Sequence, residues 1–408
     1  MRELKRYVAK SFAELFLGLI IVFDVNGASL VDWQQDLDFF AKALVERHPN
    51  IYHKLSKETF EAEVESLRAD LPKLKEQHIP IRLQQITAKM GDLHTRVSWR
   101  HEFSYPIMFT QMGEDVYVTA VLHENMRHLL GLKLVGIEDS SLSEVLTMAG
   151  SLISAENKYA IKALVPSVLR DGEALQYLRI SKRSDAVVYK FEDQNKLVEV
   201  QLQSVKLLPN VSWHRAAQNA IYSMSRPSEI YWYEYHRAEQ AIYINYSRCE
   251  ERKDFPFQSL VNAVASILSK EKVERVIIDL RNNPGGQENL ILPLLNVLKN
   301  KAVKVRVLIG NRTFSSAFGN ALTIKNQLNG ILIGQPTGQK PNAFGEVKSF
   351  YLPHSRTEVH HSTKYWTRIK GSDPDALYPD VPLEMSFHQY TQGIDPVLQK
   401  ALTFESER

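Results

Sequence analysis

The 408-residue chain carries one cysteine, Cys249. That excludes an internal disulfide framework and any zinc site built on several thiolates. Cys249 follows a strand-like run and reads as a buried small hydrophobe. Charge of one sign is also scarce. The formal net charge is only +3, and no basic run interleaves with aromatics, so a nucleic-acid partner is not indicated. No apolar run approaches the ~20 residues that cross a bilayer as a helix. The histidines form no His-x-x-x-His helix with a nearby glutamate, and the neighbours His360 and His361 point to opposite faces of a strand. No metal site is therefore expected among His48, His53, His360 and His361. Internal repeats and low-complexity tracts are absent. What remains is an ordinary globular balance, 44% hydrophobic and 24% charged, long enough for two or three domains with real cores.

The amino terminus has the outline of a secretory signal. Arg2, Lys5, Arg6 and Lys10 precede the apolar run Leu15–Phe23, and Val25-Asn26-Gly27 offers small or apolar residues at a cleavage position. Glu14 and Asp24 shorten the run, which leaves a buried amphipathic helix as the alternative. The expectation is a signal peptide over residues 1–28 and a secreted or cell-envelope protein, or a cytoplasmic one if the segment is retained.

Residues 29–103 read as a helical domain. Trp33, Leu37, Phe40 and Leu44 fall on one face of a 3.6-period helix. His48-Pro49-Asn50 ends it, and Ser56 is a fair N-cap for a second helix marked by Phe60, Val64 and Leu67. A third helix over about 81–90 leads to Gly91-Asp92-Leu93-His94-Thr95. Residues 104–228 form a small β-rich module with one helical insert at about 141–164 and no evident chemistry. From 229 to 408 the rhythm becomes βα repeats, which predicts an α/β domain with a mostly parallel sheet and helices packed on it. Ligands of such sheets gather at the carboxyl ends of the strands.

Two turns sit at such ends. One is Asp279-Leu280-Arg281-Asn282-Asn283-Pro284-Gly285-Gly286. The other is Thr313-Phe314-Ser315-Ser316-Ala317, which follows the strand Val305 to Gly310 and opens a helix. A serine at a strand–helix turn has an exposed hydroxyl, unpaired amides after it and a favourable helix dipole, the surroundings an oxyanion needs. Ser315 is the expected nucleophile and Ser316 its near rival; helical phase does not separate them. Glycines at 285 and 286 let a backbone approach a tetrahedral intermediate closely. Arg281 pairs equally well inside the sheet.

Together with Gly334-Gln335-Pro336-Thr337-Gly338 and Tyr378-Pro379-Asp380, these turns resemble the tail-specific, or carboxyl-terminal processing, serine proteases over about residues 229–400. The Asp92-Leu93-His94-Thr95 turn resembles the tricorn-core-like branch of that family. The resemblance implies a ClpP/crotonase-like catalytic domain, with the β-rich module in the place of a PDZ domain. It implies Ser315 as nucleophile and Gly285, Gly286 and Ser316 as oxyanion donors. For the general base it offers two residues. His94 matches the tricorn-like turn, and imidazole is suited to neutral pH. Lys340 stands at the serine–lysine spacing of the processing branch, but its flanks depart from that pattern, and a lysine base must be desolvated. Asp373 falls where the tricorn-like branch carries an acidic residue, usually glutamate. Asp92 braces its own turn, and Glu346 is a second brace or a surface residue. The implied activity is serine endopeptidase on protein or peptide substrates with no cofactor. The alternative is a non-catalytic binding protein on the same scaffold.

Overall fold

The computed structural model describes residues 28–99, 103–206, 211–217 and 221–404. The expected signal peptide lies outside them, apart from Ala28. Three layers of organisation position the site. At the amino end, helices Leu30–Arg47, Lys57–Asp70 and His78–Ala88 follow one another. The first is opened by a capping box between Ser29 and Asp32, which satisfies two amides that the helix itself cannot. Their apolar stripes bury Phe40, Leu44, Leu67 and Ile86 in one cluster, and Phe350, Leu352 and Val359 complete it. Those last residues belong to a long hairpin, Asn342–Tyr351 with Glu358–Thr367. The buried carboxylate of Asp36 accepts the amides of His354 and Ser355 at the hairpin tip, at 2.9 and 2.8 Å. The helical region thus draws part of its core from a segment some 300 residues downstream.

The middle region is a seven-stranded antiparallel sheet. The single expected helix over 141–164 is two, Leu142–Gly150 and Lys158–Val168. Asn157 caps the second by accepting from the Ala160 amide at 2.9 Å. It also donates to the carbonyls of Thr337 (3.1 Å) and Asp375 (2.7 Å), pinning the break to the carboxyl-terminal half.

The carboxyl-terminal sheet has six strands, running Tyr231–His236, Ala241–Tyr246, Arg275–Asp279, Lys304–Ile309, Ile331–Gly334 and Val381–Pro382. The first pairing is antiparallel and the other four are parallel. Its central strands are buried on both faces, which explains their unbroken apolar runs. Val276, Ile278, Val307 and Ile309 pack under helices Phe257–Lys270, Leu292–Lys299 and Ser316–Leu328. Ile277, Leu308 and Ile333 face the opposite side, against Val397, Leu398 and Ala401 of the last helix. The expectation of a mostly parallel sheet needs correction for the molecule as a whole, where antiparallel pairing prevails. Short connections in the middle region and the 342–367 hairpin return the chain directly beside itself, and only antiparallel neighbours allow that.

Candidate active site

Ser315 follows the strand Lys304–Ile309 and precedes the helix Ser316–Leu328. Its backbone sits at φ 54°, ψ −125°, a conformation that costs a residue with a Cβ on the order of 1–3 kcal/mol. The turn is held by its neighbours. Thr313 Oγ1 accepts the Gly310 amide at 3.0 Å and donates to the Leu280 carbonyl at 2.8 Å. The Phe314 amide donates to the Asn283 carbonyl at 3.0 Å, which fastens the serine turn to the glycine turn. The Ser315 amide is taken up by Gln339 Oε1 at 2.5 Å.

His94 Nε2 lies 3.1 Å from Ser315 Oγ, across 221 positions of sequence. The imidazole stacks on Phe314, ring centroids 4.6 Å apart. Its turn is fixed by Asp92, whose carboxylate is fully buried. Asp92 Oδ2 accepts from His48 Nε2 (3.1 Å), Thr95 Oγ1 (2.6 Å) and Ser362 Oγ (2.7 Å), while Oδ1 accepts the His94 amide (3.0 Å). His48 Nδ1 accepts the Asn50 amide, so its proton is on Nε2 and points at Asp92. Burial alone would raise the Asp92 carboxyl. The hydrogen bond from His48, the nearby His94 imidazole and the hydrogen bond from Thr95 outweigh it and hold the group well below the usual carboxylate range. His94 Nδ1 is 3.5 Å from Asp92 Oδ1, beyond a hydrogen bond.

The two serines are distinguished by their hydroxyls. Ser316 Oγ is tied back to the Gly286 carbonyl at 2.5 Å, whereas Ser315 Oγ meets the imidazole. Gly285 and Gly286 have φ of 107° and 132°. A Cβ on Gly285 would stand 2.7 Å from Ser315 Cβ and 2.9 Å from the Ser316 amide nitrogen, and one on Gly286 2.3 Å from the Cys249 carbonyl oxygen. The glycines are thus dictated by close approach. One expected donor needs correction: the Gly285 amide is already bound to Asn283 Oδ1 at 2.9 Å. The amides of Gly286 and Ser316 have no protein acceptor among the described residues. Ser316 opens its helix, where an amide has no partner within the helix.

Lys340 and Asp373 are brought to each other and not to the serine–histidine pair, with Lys340 Nζ 2.6 Å from Asp373 Oδ2. That contact commits the Lys340 amine to Asp373. Asp373 is more than half exposed. Both line a cavity of about 600 Å³ that Phe344, Tyr365 and Glu156 share. Arg281 is structural: it holds Asp279 (2.6 Å) and Asp395 (2.7 Å), locking the last helix to the glycine turn. Glu346 is exposed.

Sequence reading missed Asn283, Gln339, His48 and Glu156. The first three act through polar contacts between distant segments and carry no local signature. A carboxylate oxygen of Asp92, a ring nitrogen of His94 and a carboxylate oxygen of Glu156 lie within 4.8 Å of one another. The set does not suit a metal ion, because Asp92 already accepts four hydrogen bonds and His94 Nε2 faces Ser315.

No protein-family model matches the sequence, and a search of the curated proteins finds no match. Solved structures do resemble it. Mature CPAF complexed with lactacystin is 12% identical with a TM-score of 0.63, the match covering 89% of this chain and 95% of that one. A CPAF mutant gives 12% identity and a TM-score of 0.65, over 93% and 99%. More distantly, the photosystem II D1 C-terminal processing protease gives 14% and 0.42, over 86% and 92%. At these identities the CPAF likeness is one of fold. Among the described residues no helix is long and apolar enough to cross a membrane.

Proposed function

We propose that this protein is a serine endopeptidase of the tail-specific class, acting on protein or peptide substrates through an acyl-enzyme on Ser315 with His94 as general base. The observation that carries this is the 3.1 Å contact between Ser315 Oγ and His94 Nε2, made by a serine in a conformation few residues with a Cβ adopt. Ser315 Oγ attacks the peptide carbonyl and His94 Nε2 takes its proton. The amides of Gly286 and Ser316 receive the developing oxyanion, and His94 returns the proton to the leaving amine. Water, deprotonated by His94, then releases the acyl group. No step calls for a cofactor. The four parallel pairings of the carboxyl-terminal sheet support its reading as ClpP/crotonase-like. The CPAF fold supports the family reading.

Labelling with a fluorophosphonate probe tests the proposal. Wild type and Ser316→Ala should be labelled, and Ser315→Ala should not. Labelling that survives Ser315→Ala would refute the assignment. The proposal extends to export, on the strength of the basic residues before Leu15–Phe23. Intact mass of protein from its native host should place the mature terminus near Gly27 or Ala28, and a chain still starting at Met1 would refute that part.

A further inference from the structure

Two buried polar atoms near the reacting pair have no hydrogen-bond partner, His94 Nδ1 and Glu156 Oε2. Their residues share a cluster with Asp92, in which one ring nitrogen of His94 and one carboxylate oxygen each of Asp92 and Glu156 lie within 4.8 Å of one another. Because Nε2 is engaged by Ser315, Nδ1 is the nitrogen left to face the acids. For Nε2 to accept a proton, Nδ1 must carry one, and that N–H needs an acceptor that keeps the tautomer and ring orientation fixed. Asp92 is poorly suited. It stands at 3.5 Å, and both its oxygens already accept shorter bonds. Glu156 is less committed: its Oε1 receives a long contact, 3.4 Å, from the Leu93 amide, and its Oε2 has no partner.

The link that carries Glu156 is held firmly. Its neighbour Asn157 caps the following helix and binds two carbonyls of the carboxyl-terminal half. We propose that Glu156 is a positioning residue for His94, holding its Nδ1 proton directly or through one bridging water. This rests on the Ser315–His94 reading above. It gives the middle region a part in the chemistry that its sequence did not suggest.

The charged and titratable groups around Glu156 are Asp92 and His94 beside it, His48 behind Asp92, and Lys54, His53 and the Lys340–Asp373 pair around the shared cavity. Burial first, and then the charge of Asp92, push the Glu156 carboxyl well above its ordinary range, with backbone hydrogen bonds from Glu156 and Leu93 and the charge of Lys54 opposing. Glutamine keeps a carbonyl oxygen at the same place, and so reproduces an acceptor for Nδ1–H without the ionisable group.

The test compares full-length wild type, Glu156→Ala and Glu156→Gln by two readouts. In ¹⁵N-histidine NMR of the resting protein, His94 should hold the Nδ1–H tautomer in wild type and Glu156→Gln, and become a tautomer mixture in Glu156→Ala. On a peptide substrate, Glu156→Ala should lower kcat by roughly 10²-fold, the lower end of what the base itself supplies. KM should be unchanged, Glu156→Gln should restore the rate, and Tm should not fall in either. An unchanged tautomer and kcat in Glu156→Ala would overturn the proposal. So would a loss in both variants that follows a fall in Tm, the mark of a structural role. If wild type fails to react with the fluorophosphonate probe, the peptidase reading fails, and the tautomer comparison still decides the role of Glu156.

Discussion

Replacing Ser315 by glycine and by alanine separates the strain at the nucleophile from its chemistry. Both variants lose the hydroxyl and its contact with His94, so the difference between them excludes that contact. Alanine keeps a Cβ at φ 54°, ψ −125° and retains a strain of ~1–3 kcal/mol, which glycine removes. Glycine in turn makes the unfolded chain more flexible, at about 0.5–1 kcal/mol. The glycine variant should therefore be the more stable by about 1 kcal/mol at the middle of those ranges, and by at most about 2.5 kcal/mol. At roughly 2–4 °C per kcal/mol for a region of this size, the middle value is a Tm about 2–5 °C higher. Thermal unfolding of the two proteins side by side, with urea denaturation as a second measure, reads the difference. Neither variant should react with the probe. An alanine variant as stable as the glycine variant would refute the claim that the turn stores strain.

Gly285→Ala forces a Cβ against Ser315 Cβ and the Ser316 amide, displacing nucleophile and oxyanion donor together. Its kcat/KM should fall at least roughly 10²-fold, the cost of misplacing reacting groups by about 1 Å, and steady-state assay of the folded variant checks it. His94→Ala should cost on the order of 10²–10⁴-fold in rate. Lys340→Ala should cost far less, because Lys340 is bound to Asp373; the reverse ranking on one peptide would transfer the base to Lys340. Glu156 also makes a prediction about stability and pH. Its folded-state carboxyl is raised above the unfolded value, so its contribution is whole below about pH 4.3. That contribution is lost as pH rises through the folded-state value. Glu156→Gln should therefore gain in stability relative to wild type as pH rises above about 4.3, measured as Tm against pH, and a constant difference would contradict the raised carboxyl.

Elements whose identity depends on near neighbours in the chain were legible in advance. The strand before Ser315 and the helix after it follow from apolar periodicity, and the helix opens at Ser316. The glycine turn was legible because only glycine tolerates its φ angles and the approach of Ser315. The break between Leu142–Gly150 and Lys158–Val168 was not, because the apolar pattern continues across it. The first helix ends at Gly150, and Asn157 starts the second, reaching carbonyls about 200 positions away.

The sequence by itself determined the local pieces: that a pair of serines stands at a strand–helix turn, and which turns carry glycine or histidine. Only the tertiary structure decided which pieces meet. His94 and Lys340 were both open as bases, since a spacing along the chain does not fix a distance in space. Packing of the amino-terminal helices on the 342–367 hairpin brings His94 to Ser315, and a surface ion pair keeps Lys340 with Asp373. The same closure sets the Glu156 carboxyl near His94. Hydrogen bonding and burial are properties of the assembled neighbourhood, and no single segment encodes them.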